Sequence, residues 1–206
     1  MLVALCSGAL AGLLHFAIQH FTIVPLILEA ERYEQGEDHH AHEWKPEEGW
    51  ERTGWTALTT VLTGIGFAAV LFGFLGVSGR TITIRQGALW GLAAFTCFHL
   101  LPSIGLPPLP PGMPVPDVQP RQLWWLSTAL SGAAGLWLII TGNWLRKIAG
   151  LVCLAVPHLI GAPAIMADTT VPAQLVRNFA ILSLTTTAIF WITLGALGGM
   201  LSKRID

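Results

Sequence analysis

Six stretches of 19 to 27 residues contain no Asp, Glu, Lys or Arg, and together they take up about two thirds of the 206-residue chain. They run from Leu2 to Leu28, Trp55 to Val77, Gly87 to Leu106, Leu123 to Gly142, Ile148 to Met166 and Asn178 to Leu201. A hydrocarbon core of about 30 Å takes about 20 residues of helix to cross, and no water is present there to serve an unbonded backbone group. The stretches therefore predict an all-α, polytopic membrane bundle of six transmembrane helices. Pro157 and Pro163 interrupt the fifth stretch, and if it is re-entrant five spans remain. Only 11% of the residues are charged, less than half the share in an ordinary globular domain. The sequence thus predicts one membrane domain over residues 1–206, with a His- and acid-rich loop over 29–53 and a Pro-rich loop over 107–122.

The same counts exclude several classes. A net charge of -1 and the absence of any Lys/Arg cluster leave no face to neutralise phosphates, so no nucleic-acid partner is expected. Cys6, Cys97 and Cys153 stand singly in apolar runs and read as packing residues. No HExxH, Gly-x-Ser-x-Gly or phosphate loop is present, so the chain is not expected to be an enzyme or a nucleotide-driven pump. The first stretch lacks a basic start and runs into Glu29 without a small-residue cleavage site, which predicts an uncleaved helix.

Lys and Arg in short loops set orientation. With six spans, the N-terminus, Arg80, Arg85, Arg146, Lys147, Lys203 and Arg204 fall on one side in short segments, and that side is expected to be cytoplasmic, with both termini. Arg32, Lys45, Arg52, Arg121 and Arg177 are spread through longer loops on the other side. Trp50, Trp55, Trp124, Trp125 and Trp144 fall near span ends, as interfacial indoles do. Gly8 with Gly12 and Gly195 with Gly199 give two helices a face for close approach. The expected location is the inner (plasma) membrane.

Only one segment is strongly polar. Within residues 29–53, the run Glu37, Asp38, His39, His40, Ala41, His42, Glu43 mixes imidazole with carboxylate. That donor set suits borderline divalent ions such as cobalt, nickel or zinc, and the lack of thiolates argues against copper(I). No fixed four-ligand spacing is present, so the tract reads as a weak collector of cations rather than a structural zinc site.

Four histidines lie inside the spans, where an ionisable side chain is costly and marks a functional candidate. His15, His99 and His158 fall near the middle of the first, third and fifth stretches, which run the same way through the membrane, so they share a depth. His20 lies nearer the outer surface, and Gln19, four residues after His15, shares its helical face. Pro25, Pro102 and Pro163 follow His20, His99 and His158 shortly downstream. A proline inside a helix frees the carbonyl four residues before it, here those of Phe21, Phe98 and Leu159, and freed carbonyls can line an ion path. Three readings of these residues stand side by side. The first is a divalent-cation importer with cobalt, nickel or zinc as substrate, no organic cofactor, and a gradient or partner as energy source. The second is a haem-binding membrane redox protein, since paired membrane histidines also hold haem. The third is an accessory subunit that transports nothing itself.

The stretches IVPLILEAERYE (Ile23 to Glu34), the His-rich tract after it, WKPEEGWERTGWT (Trp44 to Thr56), GLPPLPPG (Gly105 to Gly112), RQLWWL (Arg121 to Leu126) and VPHLIGAP (Val156 to Pro163) run in order along the whole chain. In these the chain resembles the CbtA family of predicted cobalt transporter subunits. The resemblance implies an integral membrane protein of five or more spans, cobalt as the cargo, an association with cobalamin biosynthesis, and a small single-span, His-bearing partner of the CbtB type. In that family an acid often follows the paired prolines of GLPP, where this chain has Leu109, so a loop carboxylate is missing.

Overall fold

The computed structural model describes residues 1–33, 46–47, 49–76, 82–163 and 169–205, and every regular element among them is helical. In chain order these are α1 (Leu2–Thr22), α2 (Val24–Glu31), α3 (Trp50–Gly76), α4 (Ile84–Phe95), a π-helical turn (Thr96–Leu100), α5 (Leu101–Gly105), α6 (Val118–Thr141), α7 (Trp144–Ile160) and α8 (Ala173–Ile205). Among the described residues five helical segments are long and apolar enough to cross a membrane: Leu2–Thr22, Trp50–Leu75, Ile84–Gly105, Val118–Thr141 and Ala173–Ser202. The fifth charge-free stretch forms the 17-residue α7, which is at the short end of the range of about 17–25 residues that spans a hydrocarbon core. It stops at Gly161, whose φ of +90° a side chain would resist.

Local chemistry sets the other boundaries. Thr83 accepts a hydrogen bond from the Gln86 backbone N–H at 3.2 Å, while the Gln86 side chain accepts from the Thr83 N–H at 3.0 Å, a reciprocal cap that starts α4. Asn143 caps α7 by accepting from the Arg146 N–H at 3.1 Å. Pro25 sits in the first turn of α2, so the first charge-free stretch is two helices joined at Ile23, whose N–H still reaches the Gln19 carbonyl at 2.8 Å. Pro102 lies within an unbroken rod from Ile84 to Gly105, but the turn before it widens and the Leu101 N–H bonds the Thr96 carbonyl five residues back. This widening makes room for the proline ring, which in a regular helix meets the carbonyl four residues earlier.

Helix pairs are joined where glycine lets backbones touch. A Cβ on Gly8 would stand 2.6 Å from the Ile65 Cα, and one on Gly64 the same distance from the Gly8 carbonyl oxygen, so α1 and α3 meet without side chains between them. On the α4–α8 seam Gly87 faces Gly195 and Gly91 faces the Trp191 carbonyl, closer still. Gly135 and Gly150 do the same for α6 and α7, with a Cβ on either about 2.7–2.8 Å from the other's carbonyl oxygen. The close-packing faces expected at Gly8/Gly12 and Gly195/Gly199 are therefore real: Gly8 meets Gly64 and Gly195 meets Gly87, while Gly12 and Gly199 lie against the backbone of Val61 and Thr83.

The seams run antiparallel, and they order the molecule as a four-helix bundle of α3, α1, α8 and α4 with an α6–α7 hairpin at its side. The bundle's core is Ala11, Ala68, Leu71, Leu75, Phe95, Phe190, Trp191 and Leu194. The hairpin meets the bundle along the rod Ile84–Gly105. Leu10, Leu13, Leu130, Ile140, Leu159 and Ile160 point outward and are exposed. A water-soluble surface avoids such a continuous apolar coat, and lipid tails accept it. At one end of the bundle lie the starts of α1, α4 and α7 with Arg85, Arg146 and Lys147, where the short basic segments of the sequence are expected.

Candidate intramembrane histidine site

Most polar side chains in the spans are spent on their own helix. The hydroxyls of Thr60, Thr128 and Thr185 each donate to the carbonyl four residues back, at 2.7, 2.8 and 2.8 Å, and Ser7 does so to Val3 at 2.6 Å. The histidines are different. His15 Nδ1, His99 Nε2 and His158 Nε2 are buried and have no hydrogen-bond partner among the described residues, and Trp191 Nε1 shares that condition. Buried polar atoms without partners are rare enough to need a reason.

Two of these histidines belong to one neighbourhood. His15, on α1, lies beside the Thr186 backbone of α8 and packs on Phe190 with ring centroids 5.1 Å apart. His99, in the π turn, lies 6.0 Å from the Trp191 ring, 6.1 Å from Phe67 and 6.2 Å from Phe95, against which it stacks. Phe67 in turn touches both Phe190 and Trp191, at 6.2 and 4.9 Å. The two imidazoles thus flank one aromatic cluster at the centre of the bundle. The π turn re-aims the helix at His99, as such turns often do at functional positions.

His158 is held elsewhere. It stands at the end of α7, edge-on to Trp124 at 5.8 Å, and the Trp124 Nε1–H donates to the Pro157 carbonyl at 3.2 Å. Its neighbourhood is the hairpin, not the aromatic cluster. His20 packs with Phe16 and Phe21 at 5.8 and 5.2 Å near the end of α1, and Gln19 is half-buried one residue before it. Pro157 is buried inside the last turn of α7. Pro163 lies past the end of that helix, where the Leu159 carbonyl belongs to a last turn that lacks intrahelical donors in any case. Phe21 likewise lies in the last turn of α1, with Pro25 in the first turn of α2, so of the three prolines only Pro102 stands inside a continuous helical rod. Among the described residues no three His, Cys, Asp or Glu side chains gather as a metal set. The tract Glu37, Asp38, His39, His40, His42 and Glu43 lies outside the described residues. The two elements that flank it are joined, since Glu31 at the end of α2 pairs with Arg52 near the start of α3.

Sequence reasoning did not mark Trp191, Phe67 or the π turn. Trp191 stands four residues before Gly195, on the seam face of α8, and that spacing is the signal that it points inward.

The apolar coat, the five long spans and the buried imidazoles define a multi-pass helical membrane protein. The family model for the probable cobalt transporter subunit (CbtA) matches residues 1–203, and the chain belongs to that family. No curated protein and no solved structure matches it.

Proposed function

We propose that this chain is the main membrane subunit for uptake of a divalent cation, cobalt foremost, across the plasma membrane. In this reading His39, His40 and His42, with Glu37, Asp38 and Glu43, gather the ion outside, and His15 and His99 hand it through the bundle. His20, Gln19 and His158 are secondary contacts on the way. The observation that carries the reading is the pair His15 and His99, on different helices at the bundle centre, each with a buried ring nitrogen that nothing in the described protein uses. A neutral imidazole nitrogen without a hydrogen bond holds a lone pair for a borderline metal ion, with nickel and zinc as competitors. The ion passes as substrate; no organic cofactor is part of the reading. A small single-span, His-bearing subunit of the CbtB type completes the transporter, and both termini face the cytoplasm.

The test is cobalt accumulation in cells expressing the chain with and without a candidate single-span subunit, beside a His15→Ala/His99→Ala variant. Uptake that depends on this chain and is lost in the variant supports the reading. No accumulation in either setting, together with a Soret band in the purified protein, would assign the histidines to haem instead.

A further inference from the structure

Residues 105–125 and, from far along the chain, 162–163 close around a cavity of about 680 Å³ at one end of the helices, a volume in the range of small-molecule sites. The end of α5 and the Pro-rich connection contribute Leu106, Leu109 and Val115, the first turns of α6 contribute Arg121, Gln122 and Trp125, and Ala162 and Pro163 follow from α7. The walls are mostly apolar. The exceptions are the guanidinium of Arg121 and the amide of Gln122, which stand side by side at the start of α6.

Arg121 is half-buried, and its guanidinium has no ion pair or hydrogen bond with any described residue. The acid nearest to it in sequence on this helix, Asp117, is exposed and makes no pair with it. A guanidinium held against an apolar wall at a membrane boundary calls for an anion, and its fork suits phosphate oxygens. The same charge repels a divalent cation, so this cavity is not a stop on the ion's route, and the identity of its occupant is independent of transport.

We infer that the cavity binds an anionic phospholipid, its phosphate held by Arg121 and Gln122 and the upper part of its chains laid against Leu106, Leu109, Val115 and Trp125. Position favours lipid over a free anion. Gly105 ends a membrane-crossing rod, so the cavity stands at headgroup level, and an apolar wall adds nothing to the binding of inorganic phosphate. The cavity also lies between the end of the rod and the two hairpin helices, so a lipid seated there ties the hairpin to the bundle.

The test is titration of the full-length protein in detergent with phosphatidylglycerol, read by native mass spectrometry and by quenching of tryptophan fluorescence with a brominated lipid. One tightly held lipid is expected, with affinity lowered about tenfold or more in Arg121→Gln, the size expected when a charged hydrogen-bond donor is lost. Arg121→Lys, which keeps the charge but loses the fork, should retain part of it, and its elution in size exclusion controls for folding. Leu109→Trp, which fills the cavity and leaves Arg121 in place, should also expel the lipid. Equal lipid retention by wild type, Arg121→Gln and Leu109→Trp would overturn the proposal, as would inorganic phosphate competing as well as the lipid does.

Discussion

The indole Nε1–H of Trp124 donates to the carbonyl of Pro157, 3.2 Å away and one residue before His158. That bond crosses from α6 to α7 and presents the edge of one ring to the other. Trp124→Phe keeps an aromatic ring but removes the donor together with the pyrrole half of a buried indole, while the same carbonyl still accepts from the Gly161 N–H at 3.1 Å. The expected cost is about 1 kcal/mol for the bond, the usual scale for one interhelical bond in a membrane, with the cavity left by the smaller ring adding to it. Thermal unfolding in detergent measures it, and no shift would show that ring packing alone holds the hairpin together.

Gly91→Ala should be among the most damaging single-methyl changes in the chain. Its Cβ would run into the Trp191 carbonyl, which is backbone and has no rotamer to move to. The α4–α8 seam would open, at a cost near the top of the about 1–3 kcal/mol typical of overpacking. Gly66→Ala and Gly73→Ala are the controls, since a Cβ on either meets nothing within 4 Å. Folded yield and melting temperature should fall for Gly91→Ala and hold for the other two.

His15→Ala and His99→Ala are each expected to reduce cobalt accumulation about tenfold or more, the scale on which metal sites respond to lost support. The double variant should be little worse than either single one, because the residues serve one neighbourhood. His158→Ala, seated in the hairpin, should reduce uptake less. Equal losses at all three positions would put His158 in the same path and remove the distinction.

Cobalt uptake should decline as pH falls below about 6, because an imidazole binds metal only when neutral and its ordinary pKa is about 6.5. The sign is set by the lone pair: protonation on the acid side fills it, so uptake is full above that range and lost below it. Radioactive cobalt uptake measured across this range checks it. Changing His39, His40 and His42 together to Ala should lower uptake at neutral pH and flatten the profile. A flat profile in the unchanged protein would sink the role of His39, His40 and His42.

Absence of charge located every long helix, because the bilayer penalises charge within about 30 Å and is indifferent to it beyond. For the same reason it misplaced their ends. α3 begins at Trp50 and continues through Glu51 and Arg52, and α6 and α8 likewise start outside the apolar stretch, since a helix does not stop where the hydrocarbon does. Gly8, Gly12, Gly195 and Gly199 were legible as spaced pairs, but which helix each would meet was not, because spacing records a face and not its neighbour. Depth is subject to the same limit. His15, His99 and His158 have comparable positions along their helices, yet only the first two border the same aromatic cluster, since lateral neighbourhood is decided by the seams. The π turn at His99 had no signature beyond Pro102 three residues on.

The glycine seams also divide the molecule mechanically. Within α1–α3 and within α4–α8 the helices touch backbone to backbone and leave no side-chain layer to shear, so each pair is a stiff unit, whereas the two pairs meet through side chains such as Ala11, Ala68, Phe95 and Phe190. Among the described residues the hairpin leans on this bundle along the rod that contains Thr96–Leu100, where the regular hydrogen-bond ladder is interrupted. A rocking of the hairpin against the bundle would therefore bear on the rod in which His99 stands.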